Sequence, residues 1–231
     1  MNILAIDTSA ISSSVAIVNE DKIIGEFFCN TALTHSQTLV PMIDSVLKNT
    51  NMTLKDIDAI AVCVGPGSFT GVRIGVAAAK GMAYALDIPC VPVSTLHSMA
   101  YNLLGRNCIV CAVMDARCSQ VYNAMFSING NKIERLCDDR ALSIVELGNE
   151  LATITQDIVF VGDGAEICMQ NLSDRLGNIS LAPKHIRYQN ASCVGMTALH
   201  TDKSEYVTAN QILPSYLRLP QAQRELKKKS L

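Results

Sequence analysis

Four histidines, nine cysteines and a few turns rich in hydroxyls or glycine are the places where this chain could do chemistry. Two histidines share a metal ion readily when four residues apart on a helix, because one turn brings both rings to one face. His97 has Val93 and Tyr101 at that spacing, and His35, His185 and His200 are equally solitary. A lone histidine is more often a hydrogen-bonding partner than a ligand, so no metal site is expected. Cys108-Ile109-Val110-Cys111 has the spacing of a zinc or redox pair. Its apolar interior reads as a strand, where residues three apart point to opposite faces and cannot hold one ion. Buried structural thiols are the expected outcome. Gly67-Ser68 lacks the Gly-x-Ser-x-Gly elbow of a serine hydrolase, because position 70 is Thr70.

The elements that must position these groups alternate in type. Short apolar runs at 3–6, 14–18 and 23–28, separated by polar turns, read as three successive strands. Leu39, Val40, Met42, Ile43, Val46 and Leu47 then recur at helical spacing after Thr34 or Ser36, either of which can cap the helix. Pro41 is tolerated only near a first turn, so that helix is expected to start close to it. A strand at 57–64, the turn Gly65-Pro66-Gly67-Ser68, a helix at 70–86 and an edge strand at 89–93 follow. The order then restarts: strands at 108–114, 120–128 and 132–136, a helix at 143–153, a strand at 158–161 and the turn Gly162-Asp163-Gly164. This is a duplicated α/β unit, with subdomains expected at 1–104 and 105–213 and a tail, 214–231, packing back on the first.

Hydrophobic residues make up 49% of the chain and charged residues 17%, which excludes disorder and suits buried sheets flanked by helices. A net charge of -2 advertises no broad nucleic-acid face, so any RNA is expected to be held mainly by a partner. The opening Met1-Asn2-Ile3-Leu4-Ala5-Ile6-Asp7 has no basic segment leading into a long apolar stretch. No run approaches the ~20 apolar residues of a membrane span. The cysteines are dispersed, odd in number and set in runs such as Ala61-Val62-Cys63-Val64. A cytoplasmic protein with reduced thiols is expected. Arg224 and Lys227-Lys228-Lys229 offer charge to RNA phosphates, although a solvated tail is the simpler account.

Ile6-Asp7-Thr8-Ser9 followed by Ser14-Val15-Ala16-Ile17 resembles the first phosphate-binding turn of the actin-like ATPase fold. The block Gly65-Pro66-Gly67-Ser68-Phe69-Thr70-Gly71-Val72-Arg73-Ile74-Gly75 is more specific. With His35-Ser36 and Leu39-Val40-Pro41-Met42-Ile43 before it and Pro214-Ser215-Tyr216-Leu217-Arg218 after, it resembles the TsaB family, also called YeaZ. The likeness is close over the first half and the C-terminal segment, and loose over the second half. It implies a duplicated actin-like (ASKHA, RNase H-like) α/β fold with mixed sheets. It also implies a role as partner of the related enzyme TsaD and the ATPase TsaE. That set places threonylcarbamoyl on the adenosine beside the anticodon of tRNAs reading ANN codons.

By the same resemblance TsaD carries the metal and the transfer chemistry, and this chain meets tRNA only through the complex. No catalytic residue, cofactor or metal of its own is implied. The sister enzyme has a His-x-x-x-His pair after its matching edge strand, and the corresponding positions here hold Thr95 and Met99. A nucleotide would need glycine at the second phosphate turn for close backbone approach, whereas that turn reads Asp115-Ala116-Arg117-Cys118-Ser119. Gly162-Asp163-Gly164-Ala165 resembles the adenosine-contacting turn, but a strand-to-helix turn needs glycine anyway. An ATP-dependent kinase or ATPase of the same fold is therefore the alternative that these residues disfavour.

Helix 70–86 carries the partner expectation. At 3.6 residues per turn Arg73 and Lys80 fall on one narrow strip beside Tyr84, and nearly everything else is apolar or small. One reading sandwiches this helix between its own sheet and helix 39–47. The other, favoured by the resemblance, makes the two helices one side of an intermolecular bundle. Leu39, Met42 and Val46, with Val72, Arg73, Val76, Ala79, Lys80 and Ala83, are then expected to meet TsaD, or a second copy when the chain is alone.

Overall fold

A computed structural model describes residues 1–31 and 33–218; the basic tail residues Arg224 and Lys227 to Lys229 lie outside the described residues. β1 (Ile3–Asp7), β2 (Ser13–Val18) and β3 (Ile23–Cys29) form an antiparallel meander. α1 (His35–Asn49) crosses over to β4 (Ala59–Gly65), and α2 (Phe69–Leu86) crosses to β5 (Cys90–Ser94). β4 runs parallel to β1 and β5 parallel to β4, giving the order β3-β2-β1-β4-β5. β1 and β4 are wholly buried because helices cover both faces of the sheet, so each reads as an unbroken apolar run.

α3 (Thr95–Ala100) links to the second sheet. There β6 (Arg106–Asp115), β7 (Gln120–Gly130) and β8 (Lys132–Arg135) form the meander, and β9 (Arg140–Ser143) also pairs with β7. α4 (Ile144–Leu151), β10 (Ile158–Val161), α5 (Ala165–Leu172) and β11 (Ile179–Leu181) complete the order β11-β10-β6-β7-β8. The second sheet thus repeats the path of the first, which is the duplicated α/β fold with mixed sheets. α6 (Lys184–Arg187) and α7 (Ala191–His200) follow.

Two features depart from the linear reading. α7 does not stay with the second sheet. Its Ala191, Val194 and Ala198 share a core with Ile3, Ala5, Ala16 and Val18 on the face of the first sheet that α1 and α2 leave bare. Val207 then pairs with Cys90, and Ala209 and Ile212 enter the α1–α2 core. A sheet with apolar side chains on both faces must be covered on both, and the chain returns to supply the second layer. Second, α1 starts at His35, six residues before Pro41. Pro41 is accommodated inside the helix on its exposed side, where water can satisfy the carbonyl that loses its amide partner. None of the described helices is long and apolar enough to cross a membrane.

Candidate functional site

Where the two sheets face each other the turns at their strand ends enclose a cleft of about 630 Å³. The β1–β2 turn (Ser9, Ala10, Ile11) and the β4–α2 turn (Pro66 to Thr70) form one wall. The β6–β7 turn (Asp115 to Arg117) and Asp163 form the other, and Ser215, Tyr216, Leu217 and Arg218 lie across the opening. In an actin-like fold this is where a nucleotide would sit, so the donor set must be tested against one.

The first wall is occupied with holding itself together. A Cβ on Gly71 would run into the Thr8 carbonyl oxygen, and one on Gly75 into the Thr8 hydroxyl. The glycines of the 65–75 block therefore let α2 press directly on the β1–β2 turn. The Thr8 hydroxyl donates to the Gly71 carbonyl at 2.7 Å, and the Ser68 amide donates to the Ser9 carbonyl at 2.6 Å. The Ser68 hydroxyl caps α2 by accepting from the Gly71 amide at 3.2 Å. Asp7 points inward: one carboxylate oxygen accepts from the Ser9 amide (2.8 Å) and hydroxyl (2.6 Å), the other from the Cys63 thiol (3.3 Å). Burial raises its pKa, an effect partly offset by the Ser9 hydrogen bonds. Burial and the Asp7 carboxylate push the Cys63 thiol well up in turn.

The second wall offers no phosphate cradle. Arg117, Cys118 and Ser119 have φ of +63°, +54° and +54°, three successive side-chain-bearing residues in the left-handed region that favours glycine. The Asp115 carboxylate accepts from the Arg117 amide at 2.7 Å. Asp163 accepts from the Gln189 side-chain amide at 3.2 Å, and burial pushes its pKa up to about 6. Close approach of backbone amides to phosphate favours glycine; here the second turn carries the side chains of Arg117, Cys118 and Ser119, and the Asp7 carboxylate of the first is used internally. The residues do not fit a nucleotide.

The C-terminal segment joins the two stretches of sequence that carried the family resemblance. The Ser215 amide donates to the Val64 carbonyl at 2.7 Å, and a Cβ on Gly65, φ +121°, would collide with the Ser215 carbonyl. Tyr216 packs on Phe69 with ring centroids 4.7 Å apart. The Arg73 guanidinium lies 3.7 Å over the Phe69 ring, and its Nε donates to the Tyr216 hydroxyl at 2.7 Å. The sequence alone puts Arg73 on a partner-facing strip and gives no local sign of this cluster. Its only signal was that residues 65–75 and 214–218 both match the family, and nothing local ties positions 143 apart.

Of the nine residues expected at a partner, seven face inward. Leu39, Met42, Val46, Val72, Val76, Ala79 and Ala83 are buried in one core against Leu4, Ile6, Ile60 and Val62. They form the sheet-facing side of α1 and α2, as an ordinary amphipathic helix requires. Arg73 stands exposed and Lys80 half-buried, its ammonium donating to the Asn210 carbonyl at 3.3 Å. Val40 on α1 (64% exposed) and Tyr84 on α2 (73% exposed) are turned to the outside, as are Ala77 and Gly81 on α2. Cys108 and Cys111 face opposite cores across β6. His97 stacks on Phe126 at 5.3 Å, and burial lowers its pKa to about 4. Thr95 and Met99 are buried, Met99 in the core of the second sheet. Among the described residues no group of three or more His, Cys, Asp or Glu is placed to hold a metal.

A protein of Bacillus subtilis named tRNA threonylcarbamoyladenosine biosynthesis protein TsaB is 32% identical over 226 residues, 96% of each chain. This chain belongs to the TsaB family. A family model described as TsaD, tRNA N6-adenosine threonylcarbamoyltransferase, also matches residues 29–226, so the chain belongs to that wider family as well. A solved structure of an uncharacterized protein with similarity to peptidase YeaZ, from Pseudomonas aeruginosa, aligns with a TM-score of 0.80 at 28% identity. It covers 94% of this chain and 99% of its own. At 12% identity and a TM-score of 0.51, (R)-2-hydroxyglutaryl-CoA dehydratase component A of Acidaminococcus fermentans shares the fold, over 87% of this chain and 98% of its own. The His35 ring is hydrogen-bonded to the Ala10 carbonyl and the His200 ring to the Met196 carbonyl.

Proposed function

We propose that this chain is a non-catalytic partner subunit in tRNA threonylcarbamoyladenosine biosynthesis. It pairs with a TsaD-like sister protein and a TsaE-like ATPase in the set that modifies the adenosine beside the anticodon of tRNAs reading ANN codons. Membership of the TsaB family supports the pathway. The observation that carries the partner role is Asp7, whose two carboxylate oxygens serve Ser9 and Cys63 rather than facing the cleft.

The pairing surface is the outward side of α1 and α2, where Val40 and Tyr84 stand exposed beside Ala77, Gly81 and Arg73. Small residues flanking an aromatic anchor suit close helix–helix approach. The buried Leu39, Met42, Val46, Val72, Val76, Ala79 and Ala83 shape that surface from beneath. When alone, the chain uses the same surface for a second copy of itself, and tRNA is reached through the complex.

Reconstitution tests the role. tRNA, the donor-forming enzyme, TsaD and TsaE are combined with and without this chain, and the modified nucleoside is quantified. Modification should depend on the chain and survive Asp7→Asn in it. Full modification without the chain, or ATP hydrolysis by the purified chain that Asp7→Asn abolishes, would sink the proposal; the latter would favour a kinase or ATPase.

A further inference from the structure

The segment 215–218 touches both walls of the cleft. On the first wall the Ser215 amide is bonded to Val64, and Tyr216 is held by the Phe69–Arg73 pair, its ring on Phe69 and its hydroxyl accepting from Arg73 Nε. On the second, Arg218 Nη1 donates to the Ala116 carbonyl at 3.3 Å. The two anchors are two residues apart, with a bend at Leu217 and Arg218, so a backbone span of at most about 7 Å plus the Arg218 side chain limits how far the walls can separate while both hold. Arg218 meets the β6–β7 turn beside its left-handed residues Arg117, Cys118 and Ser119. Residues in sparsely populated conformations persist only where their surroundings hold them.

We propose that residues 215–218 form a latch that couples the two halves of the molecule across the cleft. Tyr216 is the fixed end, set in the Phe69–Arg73 clamp, and Arg218 is the arm that steadies the β6–β7 turn. Loss of the clamp at Tyr216 therefore loosens a turn that Tyr216 does not hydrogen-bond. The latch also sets the opening of the cleft, since Ser215, Tyr216, Leu217 and Arg218 line it together. Tyr216 and Leu217 are 44% and 36% exposed, so more than half of each is covered while the latch is closed, and neither belongs to the buried core of either half.

Hydrogen–deuterium exchange on the full chain, with Tyr216→Ala, Arg218→Ala and the double variant, tests the coupling. Tyr216→Ala should speed exchange about tenfold in peptides spanning 64–70 and also in those spanning 115–120. Arg218→Ala should speed exchange at 115–120 with little change at 64–70. β1 should exchange as in the parent protein, which reports an intact fold. Because both variants break one mechanical link, the double variant should be no faster at 115–120 than Tyr216→Ala alone. Unchanged exchange at 115–120 in Tyr216→Ala, or additive effects in the double variant, would overturn the latch. If Tyr216→Ala also loosens β1, Tyr216→Phe replaces it in both the single and double comparisons. That variant keeps the ring contact but loses the acceptor for Arg73, so it should give the same pattern at smaller amplitude, and its failure to move 115–120 overturns the proposal equally.

Discussion

Gly71 has no side chain because the Thr8 carbonyl oxygen occupies the place where a Cβ would be. Gly71→Ala should therefore cost about 1–3 kcal/mol, the usual penalty for overpacking a close backbone contact. Gly81, on the same helix with open space around it, is the internal control. Gly81→Ala should be neutral or stabilise the isolated chain by up to about 1 kcal/mol through helix propensity. Chemical denaturation of both variants reads the difference. Asp163 gives a second residue-scale expectation. Its pKa rises from 3.8 to about 6 on folding, chiefly through burial. The folded state holds the proton more tightly, so the penalty for ionising Asp163 is absent below the lower value, grows through that window and is complete above about 6. Asp163→Asn should then stabilise the protein at pH 7.5 by on the order of 2 kcal/mol and give no advantage at pH 3.5. Unfolding curves for parent and variant at the two pH values check the sign.

At the scale of an element, α2 separates stability from association. Its inner row, Val72, Val76, Ala79 and Ala83, is buried, while Arg73, Ala77, Gly81 and Tyr84 look outward. A charge on the inner row has no partner and no water. Val76→Asp or Ala79→Glu should cost more than about 4 kcal/mol and lower or abolish the cooperative melt seen by circular dichroism. Such variants report on the core and say nothing about pairing. Ala77→Glu and Tyr84→Ala lie on the other side and should leave the melt within about 0.5 kcal/mol of the parent.

For the whole molecule, the proposed pairing makes the homodimer and the heterodimer compete for one surface. Ala77→Glu combined with Tyr84→Ala should shift the isolated chain toward monomer in light scattering and weaken pull-down of the TsaD-like partner, with the fold retained. A doubly substituted chain that still dimerises and still captures the partner would place the interface elsewhere. Coverage of the first sheet also acts at this scale. α7 arrives from after the second sheet to cover β1 and β2, with Gly195 lying where a side chain would strike Val18. The two halves are consequently interlocked in the chain path, and the cleft between them is bounded by turns from both.

Much of this protein is determined by local pattern. The apolar run Ile3-Leu4-Ala5-Ile6, the helical spacing from Leu39 to Leu47 and the restart after residue 105 each depend on neighbours a few residues apart. Backbone period and burial act at that range, so strands, helices and the duplicated order could be read directly. The opposite facing of Cys108 and Cys111 is legible for the same reason, since the pleat alone decides it. What lay beyond the sequence depends on contacts between distant segments. Which side of α2 meets the sheet was ambiguous because almost every side chain on the helix is apolar or small, and only packing against Leu4, Ile60 and α1 selects the Val72–Val76–Ala79 row. The return of α7 to the first sheet, the inward turn of Asp7 toward Cys63 and the pairing of Tyr216 with Arg73 join residues 56 to 143 or more apart. No periodicity spans such distances; they are decided by which bare face must be covered and which buried polar group must find a partner.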